Sequence, residues 1–397
     1  MVANDSPDLL QACKEFAEVV SQSECPEKCY STGDGLKTAT VGEAATVILH
    51  ARDKDDRECT EPIQNLTAEL VCIKDGTTTE CQVKDEDRSK YMIKYKPTKR
   101  GNHELHIRII GKSTKGSPFT VTVRPSLQTL GKPIRVIGNV NGPLGLTTNS
   151  EGHIIVVERD VHCVSVFTPE GKKIRSFGSK GSANGQFSVP AGAAVDNTDS
   201  IYVVDNNNHR IQKFTSTGEF TAAVGTCGNN PLQFYYPHGI GFNKKNGKLY
   251  ICDQSNHRIQ VLETNLTHHR SFGSRGSESG QFQYPMGVAF DSTGKIYVAD
   301  RINYRIQTFT PDGQFLQKFG TGQLPYPYSI AIYGDVMYVA ESVHHRVSVF
   351  SSKGKFLKTF GTEGEAQGEF NAPRVVAVDA NGFVLVADRN NYRIQIF

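Results

Sequence analysis

The sequence predicts an all-β chain in two parts: a small sandwich of about seven strands, then a closed ring of six four-stranded sheets. Three observations predict it. Six segments repeat at near-constant spacing through residues 131–397. Short apolar runs alternate with polar residues and are bounded by Gly, Asp and Asn turns in both parts. The 397 residues include 37 Gly, 21 Phe and 15 Tyr with no Trp, the make-up of a turn-rich β protein. No stretch holds the ~18 consecutive apolar residues that a membrane-spanning helix requires. The opening MVANDSPDLLQ has neither the basic nor the apolar region of a secretory signal.

The repeats are IIVVERDVHCVSVF from Ile154, IYVVDNNNHRIQKF from Ile201, LYICDQSNHRIQVL from Leu249, IYVADRINYRIQTF from Ile296, MYVAESVHHRVSVF from Met337 and VLVADRNNYRIQIF from Val384. Their acid falls at Glu158, Asp205, Asp253, Asp300, Glu341 and Asp388, in steps of 47, 48, 47, 41 and 47. That period, with four short strands per unit, predicts propeller blades. In one unit the strands read MGVAFD (286–291), IYVAD (296–300), YRIQTF (304–309) and QFLQKFG (314–320). The Gly, Ala and Val of each first strand suit the crowded centre of a ring. The sequence stops at Phe397 after a third strand, while GKPIRVIG (131–138) matches the fourth strands GKKIRSFG (171–178) and GKFLKTFG (354–361). Residues 131–138 are therefore expected to complete the sixth blade and seal the ring, removing its main open edge. Gly-x-Phe, then Pro-x-Gly-φ-Ala-φ-Asp, then Asn-His/Tyr-Arg-Ile-Gln resembles NHL repeats, and the propeller is assigned to residues 127–397.

Ahead of the ring, PDLLQACKEFAEVVSQ (7–22) sets Leu9, Cys13, Phe16 and Val20 on one helical stripe. Residues 1–22 are read as a short helix, either a cap or the stump of a coiled coil that could self-associate. Residues 23–126 show strands at 45–52, 68–73, 91–95, 103–109 and 119–123, in an immunoglobulin-like pattern. TGDGLKTATVGEAATVILHARD (32–53) and YMIKYKPTKRGNHELHIRIIGKSTKGSPFTVTV (91–123) resemble a filamin-type domain, with Gly116-Ser117-Pro118-Phe119 the most specific piece. Its expected role is that of a spacer or protein-docking module. A coiled coil, a filamin-type domain and six NHL repeats resemble the C-terminal order of tripartite-motif (TRIM) NHL proteins. That family's RING and B-box zinc modules, which imply ubiquitin-ligase activity, are absent from this sequence, so the chain is expected not to be an enzyme.

The nine cysteines, an odd number, show no paired CxxC motifs, so neither a structural metal nor a cofactor is predicted. Cys72 and Cys81 flank the turn Asp75-Gly76-Thr77-Thr78 and could face each other across a hairpin, as a disulfide or as reduced packing thiols. Residues 1–130 carry 18 Lys and Arg against 20 Asp and Glu; residues 131–397 carry 26 against 21. The ring therefore tolerates an anionic partner.

By the strand order, the loops entering each first strand and the turns between second and third strands share one face. Arg210, Arg258, Arg305, Arg346 and Arg393 recur beside the strand-end acids and read as scaffold. The Asn before each His or Tyr reads as left-handed turn chemistry. The candidate contacts are Tyr236, His238, Tyr284, Arg301, Tyr304, Tyr326, Tyr328, Arg374, Arg389, Tyr392, His209 and His257. Rings interleaved with arginines fit RNA, stem-loop or single-stranded, with bases stacking and guanidinium groups on phosphates. The NHL resemblance implies the same face. Against RNA, the residue before each first-strand Pro is Tyr236, Tyr284, Tyr326, Val189, Gly142 or Ala372, where RNA-binding relatives often carry Arg. That surface equally suits a protein partner, such as a ubiquitylation substrate. The first strands are nearly all apolar and build no three-ligand metal site of the kind propeller hydrolases use. The overall expectation is a non-catalytic recognition platform in the cytoplasm, with no membrane partner, for RNA-based post-transcriptional regulation or for substrate recruitment.

Overall fold

The protein is described from a computed structural model, which describes residues 25–397. The helical stripe at 7–22 and Cys13 lie outside the described residues. The chain divides into two compact units at Ser126/Leu127.

The first unit is a two-sheet sandwich. One sheet runs Tyr30–Thr32, Ala45–His50, Lys90–Tyr95, Gln82–Asp85; the other runs Thr38–Thr40, Phe119–Arg124, Gly101–Ile109, Leu66–Cys72, Thr78–Glu80. Alternation builds it. Along Gly101–Ile109 every second residue is buried, so Leu105, Ile107 and Ile109 meet Val47, Leu49 and Ile93 in one core. The Tyr91 hydroxyl accepts from the Ile63 amide at 2.7 Å, so this buried phenol is satisfied. Cys72 and Cys81 are buried free thiols and do not face each other. The register sets Glu80 opposite Glu69 and Thr78 opposite Val71, and the Cys72 amide donates to the Thr77 carbonyl at 2.8 Å, so Cys72 meets Thr77 and Cys81 lies four residues further along the hairpin.

The second unit is the six-bladed propeller. Blades 1 to 5 each run in sequence order, beginning at Pro143, Pro190, Ile240, Pro285 and Pro327. Blade 6 is assembled from both ends: Pro373–Val378, Val384–Asp388, Arg393–Ile396 and then Arg135–Ile137. Arg135 pairs with Ile396, Val136 with Gln395 and Ile137 with Ile394, antiparallel. The Ile134 amide donates to the Ile396 carbonyl at 2.7 Å and Val140 to Tyr392 at 3.0 Å, so the seam is hydrogen-bonded along its length.

Neighbouring blades are joined by buried rings. Phe187, Phe234, Phe282 and Phe370, from the Gly-x-Phe positions and their equivalents, are fully buried. Phe187 packs on Val164 and Val166 of blade 1 as well as Phe214 of blade 2. The turn that receives it must lack a side chain: a Cβ on Gly178 (φ 89°) would lie 2.3 Å from the Phe187 ring.

Each blade is locked by its strand-end acid. Asp205 Oδ2 accepts from Arg210 Nε at 2.7 Å, Asn208 Nδ2 at 2.8 Å and Gln212 Nε2 at 3.1 Å, while Oδ1 takes the Ser188 amide at 2.7 Å. Asp253, Asp300 and Asp388 repeat this with Arg258, Arg305 and Arg393. These arginines are scaffold. The sequence reading erred on the Asn: it is a clamp, not the left-handed residue. Asn208 sits in a short 3-10 turn and also donates to the Gly181 carbonyl, and it is His209 behind it that adopts φ 54°. In blade 1 Cys163 replaces the arginine and Lys173 reaches Glu158 at 3.4 Å instead.

Candidate functional site

The loops entering the first strands and the turns after the second strands meet around the mouth of the central channel. They enclose a cavity of about 380 Å³. Its wall includes Arg159, Arg301, Arg374, Tyr236 and Gln254 and, among the described residues, no carboxylate. Arg159 and Arg301 directly follow the strand-end acids Glu158 and Asp300, as Arg389 follows Asp388. The same position in blades 2 and 3 holds Asn206 and Gln254, which also line the cavity. The arginines therefore come from blades 1, 4 and 6, and blades 2 and 3 are neutral at this position.

His238 and Tyr328 form the floor. His238 Nε2 and the Tyr328 hydroxyl lie 2.8 Å apart, linking blade 3 to blade 5, with the rings edge to face at 5.0 Å. Both were read from the sequence as partner contacts, yet they are buried, 8% and 7% exposed, and committed to each other. Burial, reinforced by Arg374 and Arg301, pushes the His238 pKa down to about 3, so the imidazole is neutral.

Above that floor the guanidinium groups crowd together. Arg374 lies 4.5 Å from the Tyr328 ring centroid, and Arg301 lies 6.0 Å from Tyr328 and 5.7 Å from Tyr326. Buried Nε atoms of Arg301, Arg374 and Arg389 find no acceptor among the described residues. Burial, then Arg374 and Arg159, lower the Arg389 pKa. Asp160 lies 3.2 Å from Arg159. A cluster of cations packed on aromatic faces and outnumbering the carboxylate beside it is a seat for an anion.

Aromatic rings cluster at successive blade junctions on this face. His209, Tyr235 and Tyr236 form one cluster, with Tyr235 and Tyr236 5.0 Å apart; His257 and Tyr284 form a second pair at 4.7 Å. Tyr304 and Tyr326 form a third, edge to face at 4.9 Å with their hydroxyls 3.1 Å apart. Thus Tyr236, Arg301, Tyr326, Arg374 and Arg389 converge, Tyr284 and Tyr304 extend the same rim, and Tyr392 stands exposed at the closing junction. Sequence reasoning missed a role for the histidines. His162, His209, His257 and His345 each take, on Nδ1, the backbone N–H of a residue 27 positions on, namely Val189, Tyr236, Tyr284 and Ala372. That constant interval was visible in the sequence.

Family models match both units. The Filamin/ABP280 repeat matches residues 23–120, and the NHL repeat matches 140–167, 187–214, 234–262, 282–309 and 370–397. A filamin repeat followed by NHL repeats is the pairing expected of the C-terminal half of TRIM-NHL proteins, which the chain resembles. The E3 ubiquitin-protein ligase TRIM71 of Bos taurus is 34% identical over 175 residues, 41% of this chain and 20% of the relative. Tripartite motif-containing protein 2 of Bos taurus is 28% identical over 119 residues, 30% of this chain and 16% of the relative. The chain thus spans about a fifth of the curated relatives it matches. A crystal structure of a Bacteroides thetaiotaomicron protein of unknown function shares the fold at 12% identity, with a TM-score of 0.55 over 92% of this chain and 96% of that one. Both matched segments are repeat domains.

Proposed function

We propose that the propeller binds RNA through the arginine cavity and its tyrosine rim, as the non-catalytic recognition platform of a cytoplasmic TRIM-NHL protein. The observation that carries this reading is the set of buried Nε atoms on Arg301 and Arg374 in the cavity wall, and on Arg389 beside them, that find no acceptor among the described residues, in a wall to which the described residues bring no carboxylate. An RNA phosphate supplies the missing acceptors. The floor of His238 and Tyr328 makes the cavity blind, so a backbone turn or a splayed loop enters it and no strand threads the ring. Bases leaving that point meet Tyr235, Tyr236, Tyr284, Tyr304 and Tyr326 as stacking surfaces, each worth about 1–3 kcal/mol.

The exposed tyrosines also favour a second reading, recruitment of a protein for ubiquitylation in a longer, RING-bearing chain. Tyr and Arg dominate protein hot spots. Equilibrium binding of single-stranded and stem-loop RNA to the chain, compared with Arg301→Glu/Arg374→Glu, separates the two. The RNA reading predicts measurable affinity in the parent and its loss in the variant. Unchanged affinity in the variant overturns it. Salt-insensitive capture of one protein after nuclease treatment supports the second reading instead.

A further inference from the structure

The histidines behind the tyrosine rim are placed to do more than fill a turn. His209 and Tyr236 both occupy left-handed backbone, at φ 54° and 49°, and His257 and Tyr284 do the same at φ 56° each. Non-glycine residues there carry strain of about 1 kcal/mol or more, which persists only where neighbours hold it. The neighbour here is the histidine of the preceding blade. The Tyr236 N–H donates to His209 Nδ1 at 3.2 Å, and the Tyr284 N–H donates to His257 Nδ1 at 3.2 Å. Each tyrosine ring then rests edge-on against the same imidazole at 4.7 Å. An Nδ1 that accepts carries no proton, and a protonated imidazole has no lone pair to offer.

We propose that His209 and His257 are acid-releasable latches that hold Tyr236 and Tyr284 in their displayed conformation, so that the rim loses these two ordered rings when the imidazoles are protonated. The consequence for binding rests on the reading of this face given above; the latch itself does not. The charged groups facing His209 are Asp205 and Asp253; those facing His257 are Asp253, Asp300 and Arg275. The three carboxylates are already bound by Arg210, Arg258 and Arg305, and burial outweighs their pull. Both imidazoles accordingly titrate below the ordinary 6.5, so the latch is closed at neutral pH and opens on acidification. The junction between blades 4 and 5 is built differently. Tyr304 replaces the histidine there and meets Tyr326 through its hydroxyl, which does not titrate in this range.

The test is amide hydrogen exchange on the full chain without RNA, at pH 7.5 and pH 5, with protection corrected for intrinsic rate. Protection at the Tyr236 and Tyr284 amides is expected to fall about fivefold in acid, the loss of one hydrogen bond. The Leu324 amide, in the loop that enters blade 5, donates to the Gly320 carbonyl at 2.9 Å; it serves as an internal control and keeps its protection. In His209→Asn/His257→Asn the side-chain Oδ1 takes the place of Nδ1 and cannot titrate, and Asn tolerates left-handed backbone. That variant is expected to show no acid effect at either amide. Protection independent of pH in the parent, or an equal fall at Leu324 or in the Asn variant, overturns the latch. Absence of RNA binding overturns only the proposed function.

Discussion

The Tyr328 hydroxyl and His238 Nε2, 2.8 Å apart, join blades on different sides of the ring across the channel and divide it. Above the pair lies the arginine cavity. Below it runs a second cavity of about 280 Å³, walled by first strands such as Gly192–Val195 and Val375–Val378. The floor of the recognition cavity is thus a polar contact between two side chains 90 residues apart, buried under a cluster of positive charge.

Removing that contact leaves a buried imidazole nitrogen without its partner. Tyr328→Phe is expected to cost about 1–3 kcal/mol of propeller stability. The check is the denaturant midpoint of the propeller transition at neutral pH.

Acid should weaken the propeller through the same pair. The folded pKa of His238, about 3, lies below its unfolded value of 6.5, so its contribution is complete above pH 6.5 and is lost as pH falls toward 3. By pH 4.5 the loss from this one group is roughly 2–3 kcal/mol. Stability measured from pH 7 to pH 4.5 should decline less steeply by that amount in His238→Gln than in the parent.

The two classes of arginine should behave oppositely. Arg305 is 5% exposed and bonded to the fully buried Asp300, so Asp300→Ala strands a buried cation and is expected to cost about 3–5 kcal/mol. Arg389 is crowded by Arg374 and Arg159, and its buried Nε has no acceptor among the described residues, so Arg389→Met is expected to be neutral or slightly stabilising. Thermal unfolding of the two variants beside the parent decides this.

The blade pattern was legible in the sequence because alternation and turn chemistry are local, and the fourth-strand likeness of 131–138 needed only the repeat as a ruler. Blade 5 shows how far that goes. Glu341 and Ser348 replace its Asp and Gln, the NHL model does not match it, and yet Val336–Glu341 and Arg346–Ser351 pair as in the other blades. What was not legible depended on closure. Arg159, Arg301 and Arg389 occupy equivalent positions in three separate repeats, and only the ring brings them beside Arg374. The burial of His238 and Tyr328 followed from the same convergence. Cys72 and Cys81 were misplaced because the hairpin register was counted from the turn alone.

Salt should report the number of phosphates seated. If Arg301 and Arg374 each neutralise one, the slope of log affinity against log salt for single-stranded RNA should flatten by about 1.4 in Arg301→Gln/Arg374→Gln, from ~0.7 per phosphate. Titration from low to moderate salt measures it.

The most direct measurement is ultraviolet crosslinking of RNA to the chain, followed by mass spectrometry of the adducted peptides. Crosslinks concentrated at Tyr235, Tyr236, Tyr284, Tyr304 and Tyr326 are the predicted result. Adducts confined to residues 25–126 or to the fourth strands on the outside of the ring, or no adducts at all, would contradict it.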